Sequence, residues 1–316
     1  MTHEPEFEVL VVERRPAAEN VVELTLASAS DVPLPDFEPG AHIDVELPGG
    51  LTRQYSLCTA PQPGHWRIAV LREPDGRGGS RYLHDSTAVG TSLRARGPRN
   101  HFPLVAAPDY LFIAGGIGIT PLLAMIDRAE RDGATWRLLY GGRTRSSMAY
   151  LTDLAERGAQ VTICPQEEAG LLDLAAALEQ TTPATQVYCC GPEPLLLAVE
   201  AAGAACSVPR DVHVERFAPK QTEPASADRE FDVVFSRSGC TRRVRAGESI
   251  VTVAREAGIE VQTSCTEGVC GTCETAVLAG EVDHRDSVLT PEEQAENTVM
   301  LICVSRGLSD QLVLDR

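Results

Sequence analysis

Four cysteines near the C-terminus constrain this chain more than any other feature: Cys265, Cys270 and Cys273, then Cys303 after 29 intervening residues. A C-x4-C-x2-C run with a distant fourth cysteine is the plant-type ligand pattern for a [2Fe–2S] cluster. The text reads Cys265-Thr-Glu-Gly-Val-Cys270-Gly-Thr-Cys273. Gly268 and Gly271 let the backbone take positive φ, so the loop can curl until three thiolates face one side. Structural zinc usually takes two C-x2-C pairs, and this chain has one, which leaves a zinc-stapled protein as the weaker reading. A disulfide reading needs an oxidising compartment, for which the sequence gives no sign.

At 316 residues the chain is long for one core and suggests two or three domains. It starts Met-Thr-His-Glu-Pro-Glu, with no apolar stretch, so no secretory signal is expected. Ten cysteines without such a signal point to a reducing cytoplasm. The longest uncharged run, Tyr110 to Ile126, is short for a membrane span and is broken by Gly115, Gly116, Gly118 and Pro121. No membrane association is expected. A net charge of −17 argues against nucleic acid as a partner.

The pattern divides the chain into three. Residues 1–104 carry short β-branched or alternating runs at Phe7–Val12, Val21–Leu26, His42–Leu47, Gln54–Cys58, Trp66–Val70 and Ser92–Ala95. Gly and Pro clusters separate them, as in a small antiparallel barrel. Residues 105–218 alternate apolar strands (Tyr110–Ala114, Trp136–Tyr140, Gln160–Cys164, Gln186–Cys190) with helical stretches, the βαβ pattern of a parallel sheet. Residues 219–229, PKQTEPASADR, read as a linker. Residues 230–316 hold a hairpin around Ser236–Cys240, a helix starting near Ser249 and the cysteine loop.

Two motifs in the middle segment point to a nucleotide. Ala114-Gly-Gly-Ile-Gly-Ile-Thr-Pro121 follows a strand, and Thr120 is expected to cap the next helix with Pro121 in its first turn. Such a helix start offers unpaired N–H groups to a pyrophosphate. The full G-x-G-x-x-G fingerprint is absent, and the stretch after the next strand, Tyr140-Gly-Gly-Arg143-Thr-Arg145, lacks the usual acidic residue. Tyr188-Cys-Cys190-Gly191-Pro192 ends another strand, where open parallel sheets bind ligands. The competing reading is a tight ligand-free turn and a buried cysteine. In the first segment, Arg53-Gln-Tyr55-Ser56-Leu57 places Arg53, Tyr55 and Leu57 on one strand face and Gln54 and Ser56 on the other. Gly76-Arg-Gly78-Gly79-Ser80 then offers an anion nest.

Taken together, these residues resemble the phthalate dioxygenase reductase family, with the vanillate O-demethylase reductases, in the ferredoxin–NADP+ reductase superfamily. The resemblance rests on Arg53–Ser56, Gly76–Ser80, Gly115–Pro121, Tyr188–Pro192 and the four cysteines, in that order along nearly the whole chain. It implies a multidomain fold: an antiparallel β-barrel flavin domain, an α/β parallel-sheet nicotinamide domain, and an α+β β-grasp ferredoxin domain. It implies FMN rather than FAD, with Arg53, Tyr55 and Ser56 on the flavin and Ser56 near its reactive nitrogen. Gly78, Gly79 and Ser80 would hold the phosphate. Gly115, Gly116, Gly118, Thr120, Cys190, Gly191 and Pro192 would line the nicotinamide site, with Arg143 and Arg145 near the ribose. Phe217 would lie against the flavin; a core Phe ending a strand is the equal alternative. Ser56, Cys190 and Phe217 are then the residues nearest the chemistry.

The implied function is NADH-dependent electron transfer through FMN and the cluster to the Rieske-type oxygenase component of an aromatic-compound mono- or dioxygenase or demethylase. NADH is expected over NADPH, although Arg143 and Arg145 would suit a 2′-phosphate. A P450 or other haem acceptor is the alternative partner. From another class comes a ferredoxin-like carrier that does not itself oxidise NADH. A monomer is expected. The last segment carries 15 Asp and Glu against 8 Lys and Arg, and Glu267, Glu274, Glu281, Asp283 and Asp286 are expected to form an acidic docking face around the cluster.

Overall fold

A computed structural model of the protein describes residues 5–59, 63–206, 209–220 and 228–316. Most of the expected linker, 221–227, lies outside the described residues. The chain forms two compact units, Met1–Glu215 and Arg216–Arg316.

The first unit opens with six strands, β1 (Glu6–Ala18), β2 (Val21–Ser28), β3 (His42–Leu47), β4 (Leu51–Ser56), β5 (His65–Leu71) and β6 (Ser92–Arg99). They form an antiparallel sheet in the order β4-β3-β6-β1-β2-β5. A bridge between Leu57, just past β4, and Ile68 of β5 joins the two edge strands into a barrel. Leu24, Leu26, Ile43, Trp66 and Ile68 fill its interior. β1 continues well past Val12, through a charged stretch with no apolar alternation. Its ladder with β2 survives there through bulges at Val11/Glu13 and Pro16/Ala18. Arg15 also pairs with buried Glu23 across the strands at 2.6 Å. A short helix, α1 (Gly79–Asp85), follows β5.

The same unit continues with β7 (Asp109–Gly115), α2 (Ile119–Arg131), β8 (Thr135–Gly142), α3 (Leu151–Ala155), β9 (Val161–Pro165), α4 (Gln166–Ala169), α5 (Leu174–Glu179), β10 (Thr185–Cys190), α6 (Glu193–Ala205) and β11 (Val212–Glu215). The five strands are parallel in the order β11-β10-β7-β8-β9. β7 is apolar on both faces, so Phe112 and Ala114 enter one core and Leu111 and Ile113 the other. The first of these cores also takes in Val21, Cys58, Ala69 and Phe102 from the barrel side. One continuous core therefore joins barrel and parallel sheet, although the two halves read as separate patterns in the sequence.

The second unit contains β12 (Phe231–Phe235), β13 (Cys240–Val244), α7 (Ile250–Glu256), β14 (Glu274–Ala279), β15 (Val282–Asp283), α8 (Pro291–Glu296), β16 (Val299–Leu301), β17 (Arg306–Gly307) and β18 (Gln311–Leu314). The main sheet runs β13-β12-β18-β14-β16, with β12 and β18 parallel. β15 and β17 form a separate small ladder. The Ser249 hydroxyl caps α7 by accepting from the Thr252 amide at 3.1 Å. Phe231, Val233, Phe235, Ile250, Ala254 and Leu312 make the core under the sheet.

Candidate functional site

The cysteine loop is irregular backbone between α7 and β14. Gly268 and Gly271 have φ of +73° and +72°, as the sequence suggests, and Thr266 joins them at +57° with no sequence signal. Gly268 is also required by space, because a Cβ there would lie 2.7 Å from Val304 Cγ2 and 3.2 Å from Asp286 Cα. The Glu267 amide donates to Cys265 Sγ at 3.3 Å, and the Cys265 amide reaches Cys270 Sγ at 3.5 Å. Thr272 Oγ1 lies 3.2 Å from Cys270 Sγ. Donors aimed at ligand sulfurs stabilise the thiolate form and tune a cluster's potential.

The four thiols meet: Cys270 lies beside Cys265, and Cys303 beside Cys265 and Cys273. Its hydrogen bond with the Cys265 thiol, reinforced by burial, pushes the Cys270 thiol up. Four thiols gathered in this way suit the four-cysteine ligand set of a [2Fe–2S] cluster.

In the barrel, the structure brings Arg53 onto the first turn of α1. A Cβ on Gly79 would come within 2.7 Å of Arg53 Cγ, so only glycine seats the arginine there. Gly78, at φ +94°, precedes the helix. Ser80 Oγ accepts from the Glu73 amide at 3.0 Å, which closes the loop and leaves the hydroxyl able to donate. Tyr55 packs against the barrel core, where burial pushes its phenol up, and Ser56 is buried beyond it. On the other strand face, Gln54 Nε2 donates to Asp44 Oδ1 at 2.7 Å, as the alternation requires. This guanidinium, glycine turn and hydroxyl fit a flavin phosphate.

The strand order reverses between β7 and β10, and ligands bind outside the carboxyl ends of strands at such a point. Both glycine motifs lie there. A Cβ on Gly118 would lie 2.2 Å from the Cys190 carbonyl oxygen, and one on Gly115 would lie 2.7 Å from Pro192 Cδ and Leu195 Cδ2. A Cβ on Gly191 would lie 3.0 Å from Gly115 Cα and N. Three of these glycines therefore press the two turns together. Gly116 differs: its φ is +55° and a Cβ there would meet nothing within 4 Å. Tyr140, buried on β8, donates to the Gly116 carbonyl at 3.1 Å and fixes the turn.

Thr120 corrects an expectation. A 3-10 turn, Gly116–Gly118, runs directly into α2, so Thr120 sits inside the helix and no side chain caps its start. Its hydroxyl donates back to the Ile117 carbonyl at 2.9 Å. Cys190 ends β10 fully buried, its Sγ 3.9 Å from Glu215 Oε2 at the end of neighbouring β11. Burial raises both: the Cys190 thiol is pushed well up, and the Glu215 carboxyl is pushed up to about 8. Glu215 was not read from the sequence; its place two residues before Phe217 was the only signal. Phe217 is 45% exposed and belongs to the second unit.

After β8, Arg143 is exposed, and Arg145 forms a two-pronged ion pair with Glu168 of α4, at 2.8 and 2.6 Å. The acidic residue missing from the end of β8 thus arrives from the next βα turn.

Residues 233–306 match the family described as a 2Fe-2S iron-sulfur cluster binding domain. Residues 91–212 match the N-terminal domain of the dimethylamine monooxygenase subunit DmmA-like family. The chain is 44% identical to the phenoxybenzoate dioxygenase subunit beta of Ectopseudomonas oleovorans over 94% of this chain and 93% of that one. It is 37% identical to the phthalate dioxygenase reductase of Burkholderia cepacia, over 96% of each. A solved phthalate dioxygenase reductase structure, described as carrying electrons from pyridine nucleotides to [2Fe–2S], superposes with a TM-score of 0.70 at 36% identity over 98% of both chains. An intact type IV self-sufficient cytochrome P450 monooxygenase superposes with a TM-score of 0.92 at 42% identity over 98% of this chain. The present chain spans 41% of that P450.

Fold and site define a flavin and iron–sulfur reductase of an oxygenase system. The chain belongs to the phthalate dioxygenase reductase family. Its cofactors are FMN, NADH and a [2Fe–2S] cluster, and it passes electrons from NADH to an oxygenase component. The zinc reading and the carrier without NADH oxidation are thereby set aside. No helix among the described residues is long and apolar enough to cross a membrane.

Proposed function

We propose that this reductase serves a Rieske-type oxygenase acting on an aromatic compound, as a cytoplasmic monomer, and that NADH binds where the Gly115–Gly118 and Cys190–Pro192 turns meet. The observation that carries the site assignment is that meeting at the point of strand reversal. Gly116, whose open side has room for a ligand, brings backbone amides at the start of α2 to the pyrophosphate. The buried Cys190 thiol keeps its proton and presents a soft, uncharged wall to the nicotinamide. Burial raises the Glu215 carboxyl beside Cys190 to about 8, so this end of the site would hold a proton far more readily than an exposed carboxylate. Arg53 with Gly78, Gly79 and Ser80 holds the FMN phosphate, and Tyr55 and Ser56 line the flavin. Cys265, Cys270, Cys273 and Cys303 hold the cluster. Bound FMN and cluster together supply the conversion of one two-electron delivery into two single-electron steps.

The Rieske partner follows from relatives named as dioxygenase components. A plant-type cluster lies near about −400 mV, below the range of Rieske centres, so transfer to one is downhill. The P450 fusion favours a second reading, with a haem acceptor. Reconstitution with a purified Rieske oxygenase and, separately, a P450 decides between them. NADH-driven product formation by the Rieske enzyme is expected, and turnover with the haem protein alone would overturn the first reading.

A further inference from the structure

The adenosine ribose of a dinucleotide bound at the β7/β10 reversal falls at the carboxyl end of the next strand, here β8. The segment there, Gly142-Arg143-Thr144-Arg145, is cationic in sequence and would fit a 2′-phosphate, since paired guanidinium groups grip phosphate bidentately. In the fold, α4 brings two carboxylates to the same place. Glu168 occupies both prongs of the Arg145 guanidinium, at 2.8 and 2.6 Å. Glu167 Oε1 accepts from the Arg145 amide at 3.1 Å, and the Glu167 amide donates to the Arg143 carbonyl at 3.2 Å. The charges of Arg143, Arg145, Glu167 and Glu168 then cancel.

The arrangement is held from other sides. Ser146 Oγ donates to Glu19 at 2.8 Å, and the Glu19 amide donates to the Ser146 carbonyl at 2.8 Å. A Cβ on Gly142 would lie 2.3 Å from Met148 Cγ, so the loop has little room to reposition. Arg145 and Glu168 are about half exposed, at 52% and 46%, so a ligand reaches them but must break their fork to use it.

We infer that Glu168 is a specificity-determining residue: by occupying the guanidinium fork of Arg145 it denies that fork to a 2′-phosphate, and so favours NADH over NADPH. The inference rests on the placement of the dinucleotide proposed above.

The test is Glu168→Gln in the holoenzyme, with flavin and cluster absorbance as the check of folding. The ratio of NADPH to NADH kcat/KM should rise about fivefold, the upper end of one exposed charge interaction. Calorimetric binding of adenosine 2′,5′-bisphosphate should tighten by a similar factor, and binding of 5′-AMP should move much less. Adding Arg145→Ala to Glu168→Gln should abolish the gain. A ratio within about twofold of wild type with no tighter bisphosphate binding, or a gain that survives Arg145→Ala, would overturn the role of Glu168. Gly116→Val protein that keeps the 5′-AMP affinity of the wild type would overturn the placement itself.

Discussion

The cysteine loop and the crevice where the Gly115–Gly118 and Cys190–Pro192 turns meet are both built on glycine, yet they use it in opposite ways. In the loop, Gly268 and Gly271 supply positive φ so that a short stretch of chain can wrap three ligands. In the crevice, Gly115, Gly118 and Gly191 let two turns, far apart in sequence, touch backbone to backbone. The first device is local and the second is an assembly of distant parts. Damage to the loop should therefore stay in the second unit, whereas damage to the crevice should spread through the core shared by barrel and sheet.

The sharpest break in this comparison is Cys273→Ser. Cluster absorbance should vanish and transfer to the oxygenase should fall by orders of magnitude, with flavin content and NADH–ferricyanide activity retained. Loss of both activities with flavin still bound would mean that the route is not serial. Next in size is Gly118→Ala, whose new methyl meets the Cys190 carbonyl. Thermal unfolding of the first unit should drop by about 2–4 kcal/mol, the range of overpacking with backbone shift, while the cluster's visible spectrum persists. Gly116→Ala has open space and pays only for its left-handed backbone, about 1–2 kcal/mol. Equal losses in the two variants would erase the distinction between packing and ligand-facing glycines.

A smaller effect is expected from Glu215. Its carboxyl is raised from 4.5 to about 8, so folding favours the protonated form and stability is lost as pH climbs from the unfolded value through the folded one. Glu215→Gln should therefore stabilise the protein more at pH 9 than at pH 5, read as the change in Tm at each pH. An equal change at both would show that the carboxyl is not held neutral. The smallest effect is ionic. Transfer to the oxygenase at limiting concentration should fall as salt rises from about 0.05 to 0.5 M, while ferricyanide reduction changes little. Of the acids expected on the docking face, Asp283 and Asp286 are buried, one paired with Arg285 and the other accepting the Val288 and Leu289 amides. Glu274 and Glu281 remain exposed. Glu274→Lys should thus slow transfer where Asp283→Asn acts only through stability.

Covalent ligand spacing made the cluster legible in sequence, because C-x4-C-x2-C has few other uses. Period-2 alternation located the barrel strands closely, and failed at the end of β1 because bulges and a cross-strand ion pair sustain pairing there without apolar residues. Glu168, Tyr140 and Glu215 were not legible, since each reaches its site from a different strand or turn. Thr120 was misread because the preceding 3-10 turn moves the helix start back to Gly116. A capping signal cannot show that.

Gly268 touches Val304, the neighbour of the fourth ligand, and its carbonyl accepts from the Ser287 amide at 2.9 Å. The distant cysteine is thus tied to the loop of the other three by packing as well as by shared ligation. A shift of Gly268 would therefore carry the residue beside the fourth sulfur with it, so the spacing of all four ligands is set as one quantity.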